Sequence, residues 1–182
     1  MPSSLEVGSG VSRRSVLALT LVAVALPLPA WALGPGPRTL AFYGLHTEER
    51  LVATYWADGT YDFAALDAID RLLRDFRTGE VRPMDPRLMD ILFAVRRALG
   101  SDDEYRVVSG YRSRATNEML RRQGHEVARN SLHVAGRAID VALAGRPLTA
   151  LRHAARSLGR GGVGYYPGPG FVHLDTGPVR SW

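Results

Sequence analysis

The chain contains no cysteine and no lysine. Without cysteine it can form no disulfide bond, so its stability has to come from a hydrophobic core. A metal site in this chain has to be built from histidine and carboxylate side chains. Arginine supplies all 23 basic residues, against 18 acidic ones, which gives a formal net charge of +5. At 182 residues, the chain is long enough to bury a single core.

The excess positive charge is spread along the sequence and forms no block of like charge. Aromatic residues make up 8% of the chain, and no stacking aromatics accompany the arginines as they do in proteins that bind single-stranded nucleic acid. We therefore expect no nucleic-acid partner. A modest positive field would still favour an anionic polymer such as the cell wall.

The first 32 residues have the pattern of an export signal. A polar start leads to the paired arginines Arg13 and Arg14, then to an apolar run that ends at Leu28, and then to a small-x-small site that ends at Ala32. This pattern predicts a twin-arginine signal peptide, a periplasmic or otherwise exported location, and one mature domain over residues 33–182. The alternative is an uncleaved anchor. The apolar run is shorter than the ~20 residues that span a bilayer, so we expect no stable membrane span after cleavage.

The spacing of apolar residues predicts an α+β domain. Residues 39–43 and 49–56 are rich in β-branched and aromatic side chains and predict two strands joined by a turn. Apolar residues recur at helical spacing over residues 62–76 and 86–99. After residue 105 the predicted order is strand, helix, strand, helix, strand, strand. We expect a small antiparallel sheet with helices packed on one side.

Two segments of the second half carry side chains that suit a metal ion. His133 lies in a loop that bends at Gly136 and enters the predicted strand with Asp140, while His173 and Asp175 share one face of the last predicted strand. Catalytic zinc is typically held by three nitrogen or oxygen ligands, and a water takes the fourth position. The sequence therefore predicts a Zn²⁺ site with His133, Asp140 and His173 as ligands. Asp175 is predicted to face the bound water and take its proton.

The other histidines lack such neighbours. His46 falls at the tip of the predicted first hairpin, where a histidine is usually a polar surface residue. His153 lies among arginines on a predicted helix, and His125 has no acidic or histidine pattern around it that resembles a ligand set. We expect none of the three to act in catalysis.

The motifs closely resemble the M15 family of zinc peptidases, which includes D-alanyl-D-alanine carboxypeptidases, dipeptidases and phage endolysins. The matching segments are Ser109-Gly-Tyr-Arg112-Ser, Ser131-x-His133-x-x-Gly136-x-Ala138-x-Asp140, and Gly162-Val-Gly-Tyr-Tyr-Pro followed by Phe171-Val-His173-Leu-Asp175-Thr. Together with the twin-arginine pattern and residues 42–59, they are most similar to the DUF882 branch, which includes a murein endopeptidase. The resemblance covers essentially the whole mature chain and implies a fold like that of hedgehog proteins and D,D-peptidases.

The resemblance also implies roles for single residues. His133, Asp140 and His173 correspond to the zinc ligands of the family, in agreement with the pattern above. Arg112 would polarise the scissile carbonyl or hold the developing oxyanion, a task suited to a fixed cation with several donors. Its alternative is a surface salt bridge. Tyr111 would contact substrate together with Arg112, and Ser131 would orient its neighbour or touch substrate, with plain turn chemistry as the equal alternative.

One position departs from the pattern of many M15 enzymes. They carry a glutamate base three residues before the last histidine ligand, and this chain has Gly170 there. Beyond Glu126, only Asp140 and Asp175 remain as carboxylates. Either Asp175 is the base or activity is compromised, and we favour Asp175.

The sequence thus predicts an exported zinc metallopeptidase that hydrolyses amide bonds in peptidoglycan peptides. A murein cross-link endopeptidase is the preferred member of this class, and a D,D-carboxypeptidase uses the same chemistry in a different pocket. Two other functions stay open. One is a non-catalytic cell-wall-binding protein that keeps zinc for structure, and the other is a metal-dependent amidase that cuts the link between sugar and peptide.

Overall fold

The structure, a computed structural model, describes residues 36–125 and 127–182. The predicted signal peptide, with Arg13, Arg14 and the cleavage site at Ala32, lies outside the described residues. In the part that is described, no helix is both long and apolar enough to cross a membrane.

The described chain forms one eight-stranded mixed sheet in the order β3-β2-β1-β4-β5-β7-β6-β8. The strands are β1 (Arg38–Gly44), β2 (Arg50–Ala57), β3 (Thr60–Tyr61), β4 (Tyr105–Ser109), β5 (Ala138–Leu143), β6 (Gly162–Tyr166), β7 (Phe171–Asp175) and β8 (Arg180–Ser181). The pairs β1/β4 and β6/β8 are parallel, and the others are antiparallel.

Four helices accompany this sheet in the described residues. They are α1 (Phe63–Leu72), α2 (Pro86–Ala98), α3 (Arg114–Arg122) and α4 (Leu148–Ser157). The side chains of Asp62, Asp85 and Ser113 accept backbone N–H bonds at the first turns of α1, α2 and α3, so each helix begins where a short polar side chain satisfies an unpaired donor. The predicted α+β class is confirmed.

The sheet is larger than predicted, and it is mixed where antiparallel pairing was expected. The reason lies in the connection from β1 to β4. The chain returns through β2, β3 and two helices before β4 pairs with β1 in the same direction, and a parallel pair needs a long crossover of this kind. The hairpin of the first half therefore extends the sheet of the second half.

The hydrophobic core fills the space between the sheet and its helices. Its fully buried side chains come from both halves of the chain: Leu40, Phe42, Tyr55, Ile69, Leu73, Leu88, Leu92, Tyr105, Ile139, Val141, Leu151, Val172 and Leu174. Along β7, Val172 and Leu174 point into this core, as predicted, because side chains alternate between the two faces of a strand.

The same alternation directs the polar side chains of β5 and β7 away from the main core. Asp140 of β5 lies directly opposite His173 of β7 in the antiparallel register, and Ala138 lies opposite Asp175. Two of the predicted ligands are therefore brought together by the sheet itself. The third, His133, reaches the same place from the loop before β5.

Candidate metal centre

The three predicted ligands meet at one point. The candidate ligand atoms of His133, Asp140 and His173 all lie within 4.8 Å of one another. His173 Nδ1 is 2.8 Å from Asp140 Oδ1, and His133 Nε2 is 3.3 Å from that oxygen and 3.2 Å from His173 Nδ1. Two ring nitrogens and a carboxylate oxygen thus converge from two strands and a loop.

His133 is held in place by a tight turn that the glycine makes possible. Gly136 has a φ of +69°, and a Cβ atom at this position would lie 2.5 Å from the backbone oxygen of Pro83. Glycine is therefore required both for the left-handed backbone and for the close approach of the two chain segments. The backbone amides of Gly136 and Arg137 donate back to the carbonyls of His133 and Leu132 and close the turn. The predicted bend at Gly136 is confirmed.

The outer nitrogen of His133 fixes the tautomer of its ring. Nδ1 is 2.7 Å from the backbone oxygen of Gly110, and because a carbonyl can only accept, Nδ1 carries the hydrogen. In the neutral ring, Nε2 then presents a lone pair to Asp140 and His173. Gly110 is itself tightly seated, since a Cβ there would lie 2.5 Å from the carbonyl oxygen of Leu73.

The outer nitrogen of His173 is held by a carboxylate. Nε2 is 3.0 Å from Asp175 Oδ2, so Nε2 donates and Nδ1 presents its lone pair to the centre in the neutral ring. Asp175 is fully buried. Its Oδ1 accepts from the backbone amides of Gly162, at 2.9 Å, and Gly177, at 2.7 Å. Arg180 closes the arrangement with a bond of 2.7 Å to Oδ2 and one of 3.2 Å to Oδ1.

Asp175 lies on the outer side of the His173 ring, and its predicted role as the base stays a prediction. It shares a strand face with His173, as predicted, but it contacts the ring nitrogen opposite the one that faces Asp140. The imidazole therefore stands between Asp175 and the point where the ligands meet. Both oxygens of Asp175 also accept hydrogen bonds from other groups of the protein. A carboxylate that takes a proton from a reactive water would not need these donors.

Charge interactions keep the two carboxyl groups ionised. Burial by itself would raise the pKa of Asp140, but the rings of His133 and His173 lower it well below its usual range. Burial likewise acts to raise the pKa of Asp175, and the hydrogen bonds from His173 and Arg180 and from backbone amides lower it overall. Burial acts to lower the pKa of His173, yet the carboxylates on both sides of its ring raise it.

These donors suit a zinc ion. Hydrogen bonds on the outer side leave one nitrogen lone pair of each neutral histidine pointing inward, and Asp140 adds an ionised oxygen next to both. Three such N/O ligands with a further coordination position open match a catalytic zinc site, and carboxylate or carbonyl partners behind the histidines are typical of one. The ligand roles of His133, Asp140 and His173 remain predictions.

Arg112 follows β4 and lies beside the centre. It is 8% exposed, and its Nη2 is 3.8 Å from Asp140 Oδ2. Its other side-chain contacts are long, at 3.5 Å to Asn117 Oδ1 and 3.5 Å to Ser109 Oγ. Burial lowers the pKa of its guanidinium, with the charge of Asp140 acting in the opposite direction. Arg112 thus has donors that are weakly used, and the side chain lines the cleft described below.

The other two predicted substrate contacts differ from each other. Ser131 lines the cleft, and its Oγ accepts from the backbone amide of His133 at 3.3 Å. A bond from Oγ to the amide two residues on also fits plain turn chemistry, so a role for Ser131 in orienting its neighbour or contacting substrate stays a prediction. Tyr111 is buried, donates its hydroxyl to Glu80, and does not line the cleft. The substrate contact of Tyr111 stays a prediction, and in this structure its hydroxyl is engaged by Glu80.

The metal centre opens into a cleft of about 810 Å³. One side of the cleft is aromatic. The rings of Tyr166 and Phe171 stack at 4.7 Å, and Trp182 donates its Nε1–H to the Tyr166 hydroxyl at 2.7 Å. The ring of Trp182 lies 5.4 Å from that of His173. The cleft therefore offers an apolar wall directly beside a group of polar, charged side chains, which is the usual make-up of a small-molecule or peptide site.

Comparison with known proteins identifies the family. A model of the M15 peptidases, described as peptidoglycan L,D-endopeptidase MepK, matches residues 33–182. The chain belongs to this family. It is 46% identical over 149 residues to the probable peptidoglycan L,D-endopeptidase MepK of Haemophilus influenzae, covering 81% of this chain and 80% of the relative. It is 40% identical over 176 residues to the peptidoglycan L,D-endopeptidase MepK of Escherichia coli K12, covering 94% of this chain and 97% of the relative.

The structure also gives the environment of the position where many M15 enzymes carry a glutamate. Gly170 has a φ of +82° in the turn between β6 and β7, and its amide donates to the carbonyl of Tyr166. Among the described residues that line the cleft, none is a glutamate. Membership of the M15 family thus comes with a cleft whose only described carboxylate is the candidate ligand Asp140.

The remaining histidines have different surroundings. His46 stacks on Phe76 with ring centroids 4.0 Å apart, and His153 is exposed on α4. His125 lines the cleft, which its sequence neighbours did not indicate. Sequence reasoning also missed Arg180 and Trp182. The signal for both was weak, since β8 has two residues and follows a short Gly-Pro segment.

Proposed function

We propose that this protein is an exported zinc metallopeptidase that hydrolyses amide bonds in peptidoglycan peptides, and that its substrate is a peptide cross-link. The observation that carries the proposal is the convergence of His133 Nε2, Asp140 Oδ1 and His173 Nδ1 at the floor of a cleft with one apolar wall. Membership of a family described by a peptidoglycan endopeptidase supports the substrate class. The names of the two relatives favour an L,D-cross-link.

The residues around the candidate centre have different proposed roles. Bound zinc would supply Lewis acidity, lowering the pKa of a water and polarising a carbonyl. His133, Asp140 and His173 would hold the ion. Arg112, with weakly used donors at the cleft surface, would bind the carbonyl oxygen of the scissile amide and stabilise the negative charge that develops on it.

For Asp175 we propose a positioning role in place of the role of base. Its contact with His173 Nε2 fixes the ring so that Nδ1 faces Asp140, and a carboxylate partner makes an imidazole a stronger ligand. Arg180 and the amides of Gly162 and Gly177 hold the carboxylate in turn. An export step through the twin-arginine route stays part of the proposal, since the substrate lies outside the cytoplasm.

Cleavage of defined muropeptides tests the proposal. We expect the zinc-loaded protein to open dimers joined by an L,D-cross-link, to lose this activity with a chelator, and to regain it when zinc is added back. Release of terminal D-alanine from single stems would identify a D,D-carboxypeptidase, and free glycan would identify an amidase. Dimers that remain intact under all of these conditions contradict the proposal.

The absence of a glutamate among the described cleft residues favours one second candidate, a zinc-containing protein that binds the cell wall without cutting it. Sedimentation with purified sacculi separates the two. A binder would sediment with sacculi and release no soluble fragments, whereas the enzyme would release fragments in a zinc-dependent way.

A further inference from the structure

A second concave surface adjoins the metal cleft. It is a groove of about 610 Å³ that shares Asn130, Ser131 and Leu132 with the cleft. Its other walls come from α3 and from the loops before α2 and β5. We call it the arginine groove, because four arginines line it: Arg82, Arg114, Arg121 and Arg129.

The arginines reach the groove from three separate parts of the chain. Arg114 and Arg121 are seven positions apart on α3, which is close to two helical turns and puts them on one face. Arg82 comes from the loop before α2, and Arg129 comes from the loop that leads to His133. All four are exposed. Because the four arginines come from three segments, the positive charge of the groove is more than the charged face of one helix.

The groove carries excess positive charge that the described residues do not neutralise. Glu118 is the one acidic residue among those described in its lining, and it pairs with Arg121 at 3.0 Å and with Arg122 at 3.3 Å. Arg82, Arg114 and Arg129 form no ion pair with a carboxylate in the described part of the chain. The side chain of Arg82 interacts with the Tyr111 hydroxyl, so the guanidinium groups of Arg114 and Arg129 are the ones that the structure leaves available to an anion from outside.

We propose that the arginine groove is a second binding site, which holds the carboxylate groups of a peptide whose scissile bond lies in the metal cleft. This inference rests on the proposed function. The two concavities share a wall at Ser131, so one extended substrate can occupy both. Guanidinium groups match carboxylates in a bidentate geometry, and the stem peptides of peptidoglycan carry free carboxylates next to their amide bonds. None of the described residues that line the groove is aromatic, so a nucleic acid would find nothing among them to stack on.

A pair of double variants with equal charge loss tests the site. In R114Q/R129Q two groove cations are removed. In the control R106Q/R156Q two exposed arginines are removed that line neither the cleft nor the groove. The ligand is a soluble muropeptide with a tripeptide stem, which has no cross-link and no terminal D-alanine to lose, and a second form of it has amidated carboxylates. Affinities are measured by isothermal titration calorimetry with the zinc-loaded protein.

We expect R114Q/R129Q to bind the acidic muropeptide about tenfold more weakly than the wild type, which corresponds to about 1.4 kcal/mol. Binding of the amidated form should be unchanged by this variant, and R106Q/R156Q should bind both forms like the wild type. All four positions are exposed, and matching thermal unfolding of the variants checks that the fold is intact.

Three results would overturn the inference. In the first, R114Q/R129Q binds the acidic form as well as the wild type does. In the second, it loses the acidic and amidated forms equally. In the third, it keeps muropeptide binding but loses binding of a phosphate-rich wall polymer such as teichoic acid, which would reassign the groove. The binding measurement does not require cleavage of the muropeptide. A protein without peptidase activity would therefore contradict the proposed function, while the binding result would still decide the role of the groove.

Discussion

The candidate metal centre and the arginine groove lie side by side and are built in opposite ways. At the centre, the ligand side chains are almost fully buried, and each histidine has its outer nitrogen held by a carbonyl or a carboxylate. In the groove, the arginines are exposed and three of them lack a carboxylate partner among the described residues. The difference matches two tasks. Chemistry needs atoms fixed before the substrate arrives, whereas recognition of a charged polymer needs cations that are free to pair.

Removal of a predicted metal ligand should have the largest effect, and this effect falls on the candidate metal centre. In His133→Ala the inward nitrogen is lost, so we expect the protein to lose stoichiometric zinc and its cleavage rate to fall by on the order of 10³-fold or more, as when one member of a catalytic unit is removed. Zinc content by mass spectrometry and muropeptide cleavage measure the two effects. His153→Ala, at an exposed position on α4, is the control and should behave like the wild type. A zinc-loaded, active His133→Ala protein would refute the ligand assignment.

The next largest effect should come from Arg112, which is as buried as the candidate ligands but makes only long side-chain contacts. We expect Arg112→Lys to keep its zinc and to lose on the order of 10²-fold in kcat, because a single ammonium cannot replace a fixed guanidinium at a developing oxyanion. Arg106→Lys, on the exposed face of β4, is the matched control. Equal activity of both variants would mean that Arg112 has only a structural role.

The variant Asp175→Asn distinguishes two roles of Asp175, that of a residue that positions His173 and that of a catalytic base. If Asp175 positions His173, this variant should bind zinc about 10- to 100-fold more weakly in a chelator competition, and excess zinc should restore most of its activity. Arg180→Gln should shift zinc affinity in the same direction by a smaller factor, since Arg180 acts through Asp175.

If Asp175 were the catalytic base, the outcome would be different. Zinc affinity would then stay near that of the wild type, activity would be lost, and added zinc would not restore it. The affinity measurement and the zinc rescue together distinguish a positioning residue from a base, which activity alone cannot do.

The smallest expected effect is on the free energy of unfolding. It concerns Asp75, which holds the segment between the two regions. Asp75 accepts from the backbone amide of Ser113 at 2.8 Å, between Arg112 of the centre and Arg114 of the groove. Burial acts to raise the pKa of Asp75, but hydrogen bonds from Thr116 and Ser113 lower it overall. A carboxyl group with a lowered pKa in the folded state stabilises the fold above its unfolded pKa of about 3.9, and this contribution fades as the pH falls through the folded value.

We therefore expect Asp75→Asn to be less stable than the wild type at pH 7 by about 1–3 kcal/mol, with a smaller difference at pH 3. Urea unfolding of the zinc-free proteins at both pH values measures the effect. Asp67→Asn, exposed on α1, should differ little from the wild type at either pH. A difference for Asp75→Asn that is as large at pH 3 as at pH 7 would contradict the role of its charge.

Local patterns in the sequence were sufficient for much of the fold and for the expectation that His133, Asp140 and His173 lie close together. Alternation along β7 placed His173 and Asp175 on one face of the strand, and the spacing of apolar residues indicated the helices α1 and α2. Gly136 indicated the bend that brings His133 to Asp140. Each of these depends on a few neighbouring residues, which is why the sequence alone was enough.

Features that depend on distant contacts were not predictable in the same way. The parallel pairing of β1 with β4 depends on sheet order, and β8 is too short to give a pattern. The contacts of Asp175 depend on the rotation of the His173 ring and on donors from Gly162, Gly177 and Arg180, which the spacing along one strand does not indicate. The hydrogen bond from Tyr111 to Glu80 joins two distant parts of the chain, which the motif around Tyr111 does not indicate.

Asp140 and His173 are paired across the ladder, so a metal ion bound by both side chains would link β5 to β7. A slip of one residue would turn one of these side chains to the other face of the sheet and dismantle the site, so only the native alignment can be held by the metal. Zinc captured during folding would accordingly select the correct strand alignment, and the free energy of capture would add to the stability of the finished domain.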